Sequence, residues 1–418
     1  MANRPPVTRN ANSKVGEQSR ATSSYFETAA NILLPICVFA IALLAFWPSI
    51  RDGHADFRNL YTAGYLVRTG NGYLLYNFEA TKSYQNALVS NWNVTMPYIR
   101  PAFQALFFAP FSLVSYRNAY FAFLSLNLAL IVLSNHLLHR ALPGLDLIRF
   151  FPAVMSLYFP IILALLQGQD SIVLLTLLAA AAVSIKQGRE SLAGVLVAFG
   201  LFKFQFVLPI FFLFVAWRRW RFAAAFTCTA TFLTALSWWI TGRAASIEYL
   251  QSMIGLGTSL KFKSGLPLVM ELMGNFHGAA SVILSGSPLV LPVTLAASAG
   301  MMIFSALNRP QNDKALYVAI PASVLVSYYM YVHDMSILLI PIAAAIAGAR
   351  VKDEHRDKRI SILNIMAILL LAIPIFGAFI RIPIWVGPVP LLLAFTIRST
   401  WFWAAPSKAK DESSLTVA

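Results

Sequence analysis

Runs of apolar residues, each closed by a short polar interval, recur along the chain from residue 29 to residue 405. A run of roughly 20 apolar residues is long enough to cross a hydrocarbon core of about 30 Å. The pattern therefore predicts an all-α, polytopic transmembrane helical bundle of about 10–12 helices. Twelve spans fit it: 29–50, 118–138, 149–166, 171–185, 191–203, 205–217, 222–241, 287–307, 315–331, 335–349, 360–380 and 384–403. An even number puts both termini on one side. Over 191–217, two short helices and one long helix with Lys203 in its middle fit the pattern equally.

The first polar interval, 51–117, is long and itself patterned. In "ADFRNLYTAGYLVRTG" the residues Phe57, Leu60, Tyr61, Gly64 and Tyr65 fall on one helical stripe, and "FEATKSYQNALVSNW" and "PAFQALFFAPFSLVS" repeat the amphipathic spacing. These segments predict helices lying along the membrane surface, broken by "GNG" and by Pro97 and Pro101. A second interval, 243–286, reads as a further interfacial or re-entrant element. The chain thus divides into a short unstructured tail (1–28), one transmembrane domain (29–405) and a C-terminal tail (406–418).

Composition sharpens this picture. Apolar residues make up 58% of the chain and charged residues 12%, against roughly 25% charged in soluble domains. The net charge of +15 is scattered over short loops, which suits anionic lipid head groups rather than nucleic acid. Placing both termini in the cytoplasm puts 21 of the 32 Lys and Arg residues on the cytoplasmic side, as the positive-inside rule requires. Loop 51–117 and the polar residues near 167–170, 203–205 and 333–334 then share the outer face. Cys37 and Cys228 sit in separate apolar runs and predict neither a disulfide framework nor a metal site. Trp385, Trp401 and Trp403 lie near span ends, as interfacial anchors do.

The candidate chemistry lies on that outer face. Asp56 follows the first span by six residues, with Asp52, His54 and Arg58 around it; these three are either helpers or ordinary surface. A carboxylate beneath amphipathic helices stands where a lipid-borne substrate meets a water-borne one, and it suits a general base. "LLQGQDSIVLLTLL" interrupts apolar helix with Gln167, Gln169 and Asp170, either as a plain outer turn or as a binding element. "GLFKFQFVLP" sets Lys203 and Gln205 among apolar residues, where an ammonium needs an anionic partner or a route to the surface. "YYMYVHDMSILLIP" presents His333 and Asp334 similarly, the latter as ligand or helix cap. Phosphate-loop, dinucleotide, zincin and serine-hydrolase motifs are absent.

Five of these stretches resemble glycosyltransferase family 87, polyprenol-phosphate-dependent bacterial sugar transferases of the GT-C superfamily: "ADFRNLYTAGYLVRTGNGYLLYN", "YIRPAFQALFFAPFSLV", "QGQDSIVLL", "GLFKFQFVLP" and "YVHDMSILLIP". Their order matches the family's over about residues 50–345. The resemblance implies a GT-C fold, Asp56 as catalytic base, Lys203 and His333 as ligands of the lipid phosphate, and Gln169, Gln205 and Asp334 as sugar or acceptor ligands. Gln167 and His54 join that last group as candidates. Where many relatives carry a Pro-Pro pair, this chain has Arg100 and Pro101, so Arg100 is either a further phosphate ligand or a variant loop residue.

The expectation is an inverting transfer of a hexose, with mannose the sugar of the family's phosphomannosyl-lipid-dependent members. It runs from a polyprenyl-phosphate sugar donor to a lipid or glycan acceptor, at the outer face of a bacterial plasma membrane, with no cofactor and no metal. A flippase or transporter for lipid-linked sugars is one alternative, favoured by broken helices and paired intramembrane polar residues. A ligase or polymerase of lipid-linked glycans is the other.

Overall fold

The computed structural model describes residues 11–258, 269–348, 362–372 and 388–404. Trp385, the C-terminal tail and parts of the second interval and of the last two expected spans lie outside the described residues. Among those described, helices account for the regular structure, with one isolated bridge pairing Pro310 and Ala404. Helix α1 (Ala11–Arg51) is followed by the amphipathic helices α2 (Phe57–Arg68), α3 (Phe78–Leu88) and α4 (Phe103–Phe108) of the long first loop. The bundle continues with α5 (Tyr116–Ala141), α6 (Phe151–Leu157), α7 (Phe159–Gln167), α8 (Ser171–Lys186), α9 (Glu190–Phe199) and α10 (Phe204–Ala216). Then come α11 (Trp220–Thr258), α12 (Phe276–Ile283), α13 (Val290–Leu307), α14 (Ala315–Val326), α15 (Leu339–Gly348), α16 (Ile362–Ala372) and α17 (Pro388–Trp403).

Among the described residues, Glu27–Arg51, Tyr116–Ala141, Trp220–Ile254 and Val290–Leu307 are long and apolar enough to cross a membrane; Glu190–Ala216 is so by length and composition but folds back on itself. Shorter apolar helices such as α8 and α14 fill the middle. Both are buried on nearly every side, and a helix that is hydrophobic all round belongs inside a bundle. α1, by contrast, turns Ile32, Leu33, Ile41 and Leu44 outward, as a lipid-facing helix does. Small residues and hydroxyls allow close packing between helices. Ser134 of α5 hydrogen-bonds Thr176 of α8 at 2.8 Å. A methyl at Gly194 of α9 would collide with the Phe222 carbonyl of α11.

Two expectations change, and one open reading is resolved. The span 149–166 is two helices, broken at Tyr158, because Pro160, in the first turn of α7, has no N–H to carry the helix on from α6. α1 reaches back to Ala11, through most of the stretch expected to be an unstructured tail; extending an existing helix adds one hydrogen bond per residue without a new nucleation cost. The ambiguous stretch 191–217 is two helices that reverse direction over a 3₁₀ turn, Gly200–Lys203. The Arg219 guanidinium, just past α10, bonds Glu190 at the start of α9, and Phe222 touches both Gly194 of α9 and Phe214 of α10. The two legs therefore begin and end at the same level, with Lys203 at the far tip.

That reversal sorts the polar side chains into two ends. At one end, Glu27 pairs with Arg149 at 2.6 Å, Lys186 donates to the Arg140 carbonyl, and Arg219 donates to the Asn312 carbonyl. The helix ends bearing Asp56, Gln169, Lys203 and His333 gather at the other.

Candidate active site

Asp56 occupies the N-cap position of α2, yet its side chain makes no capping bond. The next residue fixes it in place. Phe57 is fully buried among Tyr61, Phe108, Tyr116, Tyr120 and Phe123, with ring centroids 5.3–6.2 Å away. The end of α7 is drawn against the same spot. Gly168 terminates that helix with φ +62° in a Schellman pattern, in which Gln169 N–H donates to the Ala164 carbonyl and Gly168 N–H to that of Leu165. A methyl at Gly168 would lie 2.7 Å from the Phe57 Cβ, so glycine is needed for both conformation and approach. The result is that the Gln169 amide nitrogen donates to Asp56 Oδ2.

Behind this pair runs a buried ionic network. Arg100 grips Asp170 through Nε at 2.6 Å and NH2 at 3.3 Å, and NH2 also donates to Gln169 Oε1 at 3.0 Å. Gln104 donates to Asp170 Oδ2 and accepts from the Tyr98 hydroxyl at 3.1 Å. Lys203 Nζ contacts Asp170 Oδ1 at 3.0 Å, Ser171 Oγ at 2.9 Å and Asp334 Oδ1. An ammonium has three N–H donors, so these three oxygens account for all of them. Asp334 also accepts from Ser171 Oγ at 3.0 Å and, through Oδ2, from the Tyr331 N–H at 3.1 Å. His333 Nδ1 lies 2.9 Å from Gln167 Oε1, and Nε2 lies 3.6 Å from Asp334.

Burial alone would favour the neutral forms of these groups. At Arg100 that push is outweighed by the Asp170 carboxylate, which holds the guanidinium above its ordinary value. At Asp170 it is outweighed by Arg100 and Lys203, which hold the carboxyl well below the usual range. Two cations and two carboxylates thus balance, and each is compensated where an isolated buried charge would be costly.

In front of the network is a cavity of about 260 Å³, lined by Asp56, Asn59, Arg100, Gln169, Lys203, Gln205, His333 and Asp334, by Tyr328, Tyr329 and Tyr331, and by the loop Val94–Arg100 through Val94, Met96, Pro97 and Ile99. Of the nine residues singled out in the sequence, seven line it. Gln167 stands behind it, orienting the His333 ring. His54 is stacked on Trp92, with centroids 4.3 Å apart, and is not part of the lining. Sequence reasoning left Asp170 open between a turn and a binding element and passed over Gln104 and Ser171. The available signal was charge balance: Lys203 and Arg100 both need a buried anion, and Asp170 adjoins Gln169. Among the described residues, no three His, Cys, Asp or Glu side chains form a group that could hold a metal ion.

A second, mostly apolar cavity of about 410 Å³ adjoins the first between α4, α10 and α11. Phe204 lines both, and Phe103, Leu208, Leu233, Trp238 and Leu250 are among its other walls.

These features define a multi-pass helical membrane protein whose charged cavity lies where helix ends meet, beside an apolar one. A sequence model of glycosyltransferase family 87 matches residues 98–330, more than half of the chain, and the protein belongs to that family. It is a membrane glycosyltransferase. The matched stretch holds Arg100, Gln169, Asp170, Lys203 and Gln205; His333 and Asp334 lie just past its end, and Asp56 lies well before its start. Neither the curated proteins nor the solved structures gave a match.

Proposed function

We propose that the protein transfers a hexose, such as mannose, from a polyprenyl-phosphate sugar to a lipid or glycan acceptor at the outer face of a bacterial plasma membrane, with inversion at the anomeric carbon. The reading rests chiefly on one arrangement: Asp56 borders a polar cavity that also holds Arg100 and His333, and that cavity shares Phe204 with an apolar one. An amphiphile with a phosphorylated sugar head and a hydrocarbon tail matches this pair of environments.

In the proposed step Asp56 takes the proton of the acceptor hydroxyl while that oxygen bonds to the anomeric carbon. The bond from that carbon to the phosphate oxygen breaks on the opposite side, and its electron pair leaves with the phosphate. Arg100 and His333 meet the charge growing there. Lys203, whose three N–H groups are already engaged, contributes field rather than a free donor. Gln205 and Asn59, both in the lining, would meet sugar hydroxyls.

The test is transfer by purified protein in lipid, given a labelled polyprenyl-phosphate hexose and envelope acceptors. A positioned general base contributes about 100- to 10,000-fold, so Asp56→Asn should lose activity in that range. Transfer undiminished in this variant would overturn the base assignment. Movement of labelled lipid between leaflets without bond formation would establish a flippase instead.

A further inference from the structure

Gln169 is 5% exposed and is committed at both ends of its amide. Its Oε1 accepts from Arg100 NH2 at 3.0 Å, and its Nε2 donates to Asp56 Oδ2. The chemistry of its neighbours dictates this orientation, because a guanidinium can only donate and a carboxylate can only accept. Its backbone carbonyl is met by Asn127 Nδ2 at 3.4 Å, and Gly168 brings the whole residue against Phe57. Gln169 borders the cavity, but a residue recruited to hold sugar hydroxyls would keep its amide free for them. This one instead spans from the network's arginine to the base.

We propose that Gln169 is a positioning residue that ties Asp56 to Arg100, reserving Asp56 Oδ2 for the amide and leaving Oδ1 to receive the acceptor's proton. The proposal rests on Asp56 being the base. Arg100 NH2 divides its donation between Asp170 Oδ1 and Gln169 Oε1, so a phosphate that draws on this guanidinium acts on the amide and, through it, on the carboxylate. Donor occupancy and alignment of the base are thereby linked across two hydrogen bonds. A donor-free protein would hold its base differently from a donor-loaded one, which works against transfer to water.

The experiment compares Gln169→Leu and Gln169→Glu with the wild type, reading kcat, both KM values, thermal unfolding and the pH profile of kcat/KM. Gln169→Leu should lower kcat about 10- to 100-fold, with KM for acceptor within about twofold of wild type, because the base is misaligned rather than the acceptor released. Gln169→Glu sets a second carboxylate against Asp56 and should move the acidic limb of the profile to higher pH. The other titratable groups facing Asp56 are Tyr116, Tyr329, Tyr331 and His333, and none of them is altered. In the Asp56→Asn background, Gln169→Leu should cost nothing further, since it acts through the missing base.

A raised acceptor KM with unchanged kcat would make Gln169 a substrate ligand and overturn the proposal. So would an unmoved acidic limb in Gln169→Glu, which remains decisive if Gln169→Leu fails to fold. An active Asp56→Asn overturns the base assignment, and this proposal with it. An inactive Asp56→Asn beside a Gln169→Leu enzyme of normal kcat overturns the positioning role alone.

Discussion

Replacing Arg58 by methionine should loosen the segment that carries Asp56, although Arg58 does not line the cavity. The guanidinium is fully buried and makes five hydrogen bonds: Nε to Gln85 Oε1 (3.2 Å), NH1 to the Gly53 carbonyl (3.2 Å) and Ser90 Oγ (2.9 Å), and NH2 to Asn86 Oδ1 (2.8 Å) and the Ser90 carbonyl (2.7 Å). An arginine has five N–H donors, so each is used, and the acceptors lie before α2 (Gly53), within α3 (Gln85 and Asn86) and after α3 (Ser90). Methionine keeps the stem but withdraws every donor. Gln85 Oε1 retains the Met96 N–H and Asn86 Oδ1 the Trp92 N–H, so the loss falls on the Gly53 and Ser90 carbonyls. At about 1–3 kcal/mol for each carbonyl left unmet, the opening of residues 51–98 becomes easier by about 3 kcal/mol. That is roughly a hundredfold in the opening equilibrium, at about 1.4 kcal/mol per factor of ten. Amide exchange of residues 85–98 in detergent reads that equilibrium directly. Arg58→Met should exchange about 100-fold faster there, and Arg58→Lys should fall between, since one nitrogen cannot reach acceptors spread over Gly53 and Ser90. Exchange within about threefold of wild type would refute the reasoning. Lost activity with unchanged exchange would show that Arg58 touches substrate.

Two further outcomes are expected. Asp170→Asn removes the carboxylate shared by Arg100 and Lys203 and should destabilise the fold by about 3–5 kcal/mol, the range for breaking a buried pair, measured as a lowered thermal midpoint; a midpoint unchanged within error would show that the cations find other partners. The sign with pH follows from the same group: its carboxyl is held below its unfolded value of about 3.9, so this contribution is complete at neutral pH and is lost only as the pH falls through the lower folded value. In a background with Cys37 and Cys228 replaced, a membrane-impermeant thiol reagent should label His54→Cys on intact cells and leave Arg189→Cys unlabelled; the reverse would invert the proposed orientation.

Much of the architecture was legible because lipid makes periodicity informative. Apolar runs had to be helices, and alternating which side each polar interval faces already brings Asp56, Gln169, Lys203 and His333 to one level. The hairpin at Lys203 was undecidable from pattern alone, since ten to fourteen apolar residues fit a short leg as well as half a long helix. Its resolution came from ends that pattern does not see, the Arg219–Glu190 pair and the Phe222 contacts. The break at Tyr158 was available in "YFP", since a proline belongs in the first turn of a helix rather than in its interior. Roles inside the site were less accessible. Lys203 looked like a free phosphate ligand because its own run offers no anion; Asp170 and Asp334, 33 and 131 residues away in sequence, supply two. His54 looked like a site residue because it stands two positions from Asp56, but Trp92 claims its ring.

The balance of charge at the site also bears on when it acts. Arg100 and Lys203 are each compensated by carboxylates already in place, so the donor-free cavity carries no large excess of positive charge that would trap stray phosphate or anionic head groups. Tight binding of a bare phosphate would have to disrupt pairs whose breaking is costly. A donor that also fills the apolar cavity beside Phe204 gains burial that free phosphate cannot, at roughly 25 cal/mol per Å² of apolar surface. On the proposed reading, selection for a lipid-linked phosphate would come from the tail and chemistry from the head: cations already paired with internal carboxylates would hold anions in general weakly and favour an amphiphile that fills both cavities at once.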